Sequence, residues 1–316
     1  MVLKNVITSI RDITDNLLNK CKPREDAYSQ LDGNPYVFVS LALSEAINYK
    51  KYQYNRLNIK FNYFFDSENK FIFIKGDQSI FRRMISNLID NAVETLDEKA
   101  GIVDLTLKEE ESLIKIIIED NGKGMSQTLI DKMYNNTTFS NNKEKGLGVG
   151  LEQVRDALLT FNGQMSVESK ENVGTKVRLF LPISENPQWV AQQIRLNKGS
   201  TVVILDDDTS MHYVWKTYLG KYSDSLSFEY FENGEEAIEF IQSIEDKNKV
   251  FLLSDCELRN QRLNGIQIIK HLSMQDKSVL VTSDCNNKKI QNTAWRTNIK
   301  ILPKLLISEI TITIEN

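Results

Sequence analysis

The chain has 316 residues, with 41% hydrophobic and 26% charged side chains, five prolines and a net charge of −4. That length suits about two domains, each large enough for its own core, and the composition excludes fibrous and disordered classes. No basic stripe of the kind that marks nucleic-acid binding is present, no apolar run approaches the ~18 residues of a membrane span, and three widely spaced cysteines (Cys21, Cys256, Cys285), odd in number and without a C-x-x-C pair, suggest neither a disulfide framework nor a zinc site. A reducing, cytoplasmic setting is expected, with no nucleic-acid partner and no membrane span.

In chain order, apolar residues from Leu3 to Leu17 recur at helical spacing and predict one amphipathic helix, ending before Pro23. After the Gly33-Asn34-Pro35 turn come a second helix, Leu41 to Tyr54, and two β-rich runs, Ile59 to Phe65 and Phe71 to Lys75, expected to pair. Asp77 can cap a helix running to about Leu96, because its carboxylate can accept the unpaired amide donors of the first turn. Strands at Ile102 to Lys108 and Leu113 to Asp120 flank a charged tip at Glu109 to Ser112. A polar stretch from Ser126 to Lys145 precedes a helix from about Val149 to Phe161, and strands at Gln164 to Ser169 and Thr175 to Leu181 close an α+β region. Residues 184–199 are expected to link it to a second pattern. There the apolar runs Val202 to Leu205, Val250 to Leu253, Ser278 to Val281 and Ile299 to Leu302 alternate with helical stretches, as in a doubly wound α/β sheet.

Four local patterns occur in order in the first region. Asn87-x-x-x-Asn91 puts two amides on one helix face, where an oxygen can ligate a hard cation; a solvated polar face has the same spacing. Asp120-Asn121-Gly122-Lys123-Gly124 ends a strand, where a buried acid can accept from an exocyclic amine beside glycines that leave the backbone open. Gly146-Leu147-Gly148-Val149-Gly150-Leu151 offers unhindered amides at a helix start, an arrangement suited to phosphate oxygens, and Gly174-Thr175 opens the last strand.

Together these residues resemble the conserved boxes of the histidine-kinase ATPase domain, the Bergerat or GHKL sandwich, over residues 36–183. The resemblance implies ATP and Mg²⁺ as ligands: Asn91 on the metal, Asp120 on the adenine amino group, Gly146, Gly148 and Gly150 at the phosphates, Thr175 near the base, with Asn87, Gly122 and Gly124 completing the motifs. Residues 125–146 would form a mobile lid over ATP. Lys143 and Lys145 are either phosphate contacts or a solvated pair.

In the second region Asp206, Asp207 and Asp208 follow the first apolar run and Asp255 follows another. Ligands in open α/β sheets bind at the carboxyl ends of strands, and converging carboxylates favour a cation; a helix-capping turn is the alternative. With Thr282 and Lys304 after two further runs, residues 200–316 resemble the receiver domain of response regulators. The resemblance implies Mg²⁺ on Asp206, Asp207 and Asp255, with Asp255 the phosphoacceptor, Thr282 its switch hydroxyl and Lys304 the phosphoryl-pairing cation. The sequence departs from that pattern in its Pro303-Lys304 order and in Ile301, which stands where an aromatic switch residue is usual.

The implied activity is that of a hybrid histidine protein kinase, in which ATP phosphorylates a histidine and the phosphoryl group passes to Asp255. Its phosphoacceptor helix is not in the sequence: the two histidines, His212 and His271, fall in the receiver-like region, and residues 1–35 read as the remnant of a dimerisation helix. The expected partner is a histidine-containing phosphoacceptor domain or phosphotransfer protein, and a homodimer is compatible. A non-catalytic ATP-binding regulator or phosphate sink remains the alternative.

Overall fold

Period-two alternation builds the first sheet. In the computed structural model, which describes residues 36–67, 70–96, 100–130 and 147–315, one face of β4 (Gly101–Glu110) buries Val103, Leu105 and Leu107, and one face of β5 (Leu113–Asp120) buries Ile114, Ile116, Ile118 and then Asp120. The same parity that puts isoleucines in the core therefore carries Asp120 to the inner face at the strand end. The hairpin tip falls where expected, with Glu110 opposite Leu113. With β2 (Ile59–Asp66), β6 (Gln164–Lys170) and β7 (Gly174–Pro182) these strands form a five-stranded sheet of order β2-β4-β5-β7-β6.

Three helices cover the inner face: α1 (Val39–Gln53), α2 (Gln78–Thr95) and α3 (Leu147–Thr160). Asp77 caps α2 as anticipated, accepting from the Ser79 and Ile80 amides at 2.7 and 3.3 Å. From there Phe81, Met84, Ile85, Leu88, Ile89 and Ala92 bury a stripe at helical spacing.

The expected pairing of the runs at 59–65 and 71–75 does not form. β2 pairs in parallel with β4, whereas β3 (Phe73–Lys75) pairs antiparallel with a short strand β1 (Tyr36–Phe38), Val37 opposite Ile74 and Phe38 opposite Phe73. Burial explains the choice. All four of those apolar residues are buried, so the ribbon needs an apolar layer on both sides, which the half-solvated edge at β2 does not offer. Val37 and Ile74 enter the core of the first half, while Phe38 and Phe73 enter that of the second.

The second half carries a parallel sheet of order β10-β9-β11-β12-β13, made of β9 (Thr201–Leu205), β10 (Ser227–Phe231), β11 (Val250–Asp255), β12 (Ser278–Thr282) and β13 (Lys300–Pro303). Helices α4 (Thr209–Leu219), α5 (Gly234–Ser243), α6 (Gly265–His271) and α7 (Lys288–Thr297) alternate with these strands, giving the α/β order expected. The stretch 184–199 is packed. Trp189 meets Phe73 edge-on with ring centroids 5.9 Å apart, and β8 (Gln193–Asn197) pairs in parallel with the last strand, β14 (Thr311–Glu315). No helix among the described residues is long and apolar enough to cross a membrane. The opening helix, Cys21 and the Gly33-Asn34-Pro35 turn lie outside the described residues.

Candidate functional site

Two sites emerge. The first is a cavity of about 250 Å³ between α2 and the ends of β5 and β7, near the lower bound of ~300 Å³ usual for small-molecule sites. Asn91, Asp120, Gly124 and Thr175 line it together with apolar side chains including Leu88, Ile118, Leu151 and Val177. Asp120 is only 8% exposed; its Oδ1 accepts from the Gly122 amide at 2.9 Å and the Thr95 hydroxyl at 3.2 Å. Burial pushes its carboxyl above the usual range, against the pull of bonds from Gly122, Thr95 and Thr175.

Glycines let the walls of this cavity meet. Gly124 (φ +63°) and Gly174 (φ +139°) occupy conformations that side chains resist, and a Cβ on them would lie 2.1 Å from the Lys170 carbonyl oxygen and 2.0 Å from that of Asp120. Gly150, in the first turn of α3 with Gly148, faces Asn91: a Cβ there would stand 3.1 Å from the Asn91 amide oxygen. Of the expected residues, Asn91, Asp120, Gly124 and Thr175 thus line one space, with Gly122 bonded to Asp120 and Gly150 against Asn91 just behind it. Asn87 does not line it, its amide donating instead to Gln153 Oε1 at 3.0 Å and tying α2 to α3. Lys143, Lys145 and Gly146 lie outside the described residues. Thr95 was not anticipated, although it continues the Asn87 and Asn91 face at the next i+4 position and so carried a readable signal.

The second site sits at the carboxyl ends of the parallel strands. Register pairs Ser254 with Leu205, Asp255 with Val281 and Thr282 with Pro303, so the residues at or just beyond those ends come to one rim. One carboxylate oxygen each from Asp206, Asp207 and Asp255 lies within 4.8 Å of the others, a donor set and spacing that fit a hard divalent cation. Asp206 and Asp255 are 2% and 7% exposed, and Lys304 Nζ bridges them at 2.7 and 3.0 Å. Burial and the neighbouring Asp206 charge raise the Asp255 carboxyl, against the opposing pull of Lys304. For Lys304, burial works against the charge but the bonds to Asp206 and Asp255 outweigh it, and its ammonium is held above the usual range. Although Pro303 precedes it, Lys304 still reaches both acids.

The three consecutive aspartates divide their work. Asp208 caps α4 through the Ser210 amide at 2.9 Å, Asp206 Oδ1 accepts from the Asp208 amide at 3.0 Å, and Asp207 Oδ2 accepts from the Arg259 amide at 3.1 Å. Capping and cluster therefore coexist. Thr282 is buried on the same rim, and its hydroxyl oxygen accepts from the Asp284 amide at 3.0 Å. The histidines stand apart from this chemistry: His212 is buried beside the Tyr230 ring, centroids 5.6 Å apart, and His271 is exposed at the end of α6.

Known proteins match the segment that contains the first site. Residues 76–185 match the family model for histidine kinase-, DNA gyrase B-, and HSP90-like ATPases. Sporulation kinase A of Bacillus subtilis (strain 168) is 28% identical over 178 residues, which are 56% of this chain and 27% of the kinase. Sensor protein EvgS of Escherichia coli (strain K12) is 23% identical over 217 residues, 65% of this chain and 18% of that protein. The chain thus spans under a third of either relative's length. Among solved structures, the catalytic domain of histidine kinase ThkA aligns with a TM-score of 0.39 at 20% identity, covering 46% of this chain and 93% of that one. With the family match on residues 76–185 enclosing Asn91, Asp120 and Thr175, this segment is a histidine kinase-like ATP-binding domain.

Proposed function

We propose that the protein is a two-component phosphotransfer protein of the hybrid histidine kinase type, with ATP in the first half and a receiver-type phosphoacceptor, Asp255, in the second. The observation that carries this reading is the cluster of Asp206, Asp207 and Asp255 with Lys304 at one strand-end rim, on the same chain as an ATP-binding domain. In the first site Asp120 accepts from the adenine amino group, Thr175 lies at the base, Gly148 and Gly150 present backbone at the phosphates, and Asn91 would hold Mg²⁺. A histidine, on a partner protein or on another part of the polypeptide, receives the γ-phosphoryl group.

In the second site a carboxylate oxygen of Asp255 attacks the phosphorus of that phosphohistidine. The P–N bond breaks as the P–O bond forms, and the imidazole leaves with the electron pair. Lys304 pairs with phosphoryl oxygens and the Thr282 hydroxyl donates to one of them, charge-assisted contacts that suit a reaction governed by positioning and neutralisation. Asp206, Asp207 and Asp255 would hold Mg²⁺, which supplies positive charge against the transferring group.

The test is incubation with γ-labelled ATP and Mg²⁺, with and without a histidine-bearing phosphodonor domain. Alkali-labile label on this chain that requires both the donor and Asp255, with acid-labile label on the donor, is the expected result. Nucleotide binding without label on either protein would favour a non-catalytic regulator.

A further inference from the structure

Ser169, near the end of β6, stands behind the first site without lining it. Its hydroxyl oxygen lies within bonding distance of three groups: the Met125 amide at 2.8 Å, the Gly174 carbonyl oxygen at 3.0 Å and Thr175 Oγ1 at 2.9 Å. A serine hydroxyl has one proton and two lone pairs, so three contacts use its capacity in full. Chemistry fixes two of the directions. The Met125 N–H only donates, and the Gly174 carbonyl only accepts. Were the Ser169 proton given to Thr175, two lone-pair oxygens would face each other at 3.0 Å with no proton between them. The proton therefore goes to Gly174, and Thr175 donates its own to the remaining lone pair of Ser169.

The consequence lies in the cavity. With its proton turned to Ser169, the Thr175 hydroxyl faces the space it lines only as an acceptor. Thr95 is in the same state, its single proton held between the Ala92 carbonyl at 2.8 Å and Asp120 Oδ1 at 3.2 Å. Asp120, opposite Thr175 in the ladder, accepts through its carboxylate. Oxygen acceptors thus share one end of the cavity, and neither hydroxyl has a proton left for a ligand. The paired N–H bonds of an exocyclic amine satisfy such a rim, whereas a carbonyl oxygen placed there meets lone pairs.

We infer that Ser169 is a positioning residue for base selection: by taking the Thr175 proton it makes that hydroxyl a second acceptor beside Asp120, and so sets the discrimination between amino-purine and oxo-purine nucleotides. The inference rests on the ATP reading of the first site.

Calorimetric titration of the full chain with the β,γ-imido triphosphates of adenosine and of inosine tests it. The wild type should prefer the adenosine form. Ser169→Ala frees the Thr175 proton to turn into the cavity and should narrow that preference about fivefold, the worth of one neutral hydrogen bond, chiefly by tightening the inosine form. Ser169→Thr, which keeps the hydroxyl, should retain the wild-type preference. In a Thr175→Val background, with no proton to direct, Ser169→Ala should leave the preference unchanged. Equal loss on both nucleotides in Ser169→Ala, with the preference intact, would overturn the role of Ser169 and leave ATP binding standing. If thermal melts show that Ser169→Ala does not fold, Thr175→Val alone decides: an adenosine form about fivefold weaker beside an unchanged inosine form is the expected result, and loss on the inosine form would overturn the acceptor role. Absence of adenosine-nucleotide binding by the wild type would overturn this role and the ATP reading together.

Discussion

Asp120→Asn separates recognition from stability more cleanly than any truncation. The asparagine keeps the shape and one carbonyl oxygen, which can still accept from the Gly122 amide and the Thr95 hydroxyl that Asp120 engages at 2.9 and 3.2 Å. It loses the negative charge that would face an exocyclic amine. A hydrogen bond to a charged group contributes about 1.5–3 kcal/mol, so affinity for an ATP analogue should fall roughly 10- to 150-fold. Stability should move the other way. Because burial raises the Asp120 carboxyl, the folded state favours its protonated form, and the cost of burying the carboxylate is fully present at pH values above the raised folded pKa. The variant should therefore melt at or slightly above the wild-type temperature at neutral pH. That advantage should disappear as pH falls through the Asp120 titration and the wild-type carboxyl also becomes neutral. Over the same window wild-type affinity should weaken, since a protonated carboxyl no longer offers its charge. Calorimetric titration beside thermal melts across pH reads both quantities. Affinity within twofold of wild type, or a loss that tracks a lower melting temperature, would refute the assignment of Asp120 to base recognition.

Asp255→Asn should abolish alkali-labile phosphorylation by a small-molecule phosphodonor such as acetyl phosphate, while analogue affinity in the first half stays within about twofold, since no residue lines both sites and distant sites are close to additive. Lys304→Ala should leave Asp206 and Asp255, whose side chains are 2% and 9% exposed, facing each other without their cation, at a cost of about 3 kcal/mol. Millimolar Mg²⁺ should recover much of that loss and EDTA should remove the recovery; melts insensitive to Mg²⁺ would count against a cation on these carboxylates. Leu105→Ala, fully buried in the interior strand β4, should cost about 2–5 kcal/mol in the first half, read as a lower denaturant midpoint.

Where one residue's chemistry and its neighbours' periodicity agreed, the sequence was legible. The apolar run Ile114 to Ile118 marks a strand that ends at Asp120, but Ile117 breaks the alternation, so the structure is needed to show that Asp120 shares the inner face with Ile114, Ile116 and Ile118. Asp77 could be assigned as a cap because a helical stripe begins just beyond it. The edge strand β10 was missed although Phe228 and Tyr230 alternate with Ser227 and Glu229, since five residues with half-exposed aromatics give a weak signal beside the continuous runs of the central strands. β8 and β14 were hidden for a different reason: each needs the other, more than a hundred residues away, and neither announces its partner.

The mistaken pairing at β3 marks the limit of local pattern most clearly. Phe73 and Ile74 show only that a strand is apolar on both faces; they do not say that the two faces belong to different cores. Proximity in sequence favoured β2 as the partner, yet pairing there would have left an apolar face in water, at about 25 cal/mol for each Å² exposed. With β1 the same residues bury Val37 and Ile74 in the core of the first half, while Phe38 stacks on Phe73 and Phe73 meets Trp189 in that of the second. A seam of this kind cannot be read from either half alone, because the residues that close it, Asn286, Lys288 and Gln291, are polar and look like ordinary helix-start chemistry until Phe38, Asp77 and Tyr36 are found opposite them. The individual sites were written in local motifs, whereas any influence of one on the other would have to pass through contacts that exist only once both halves have folded.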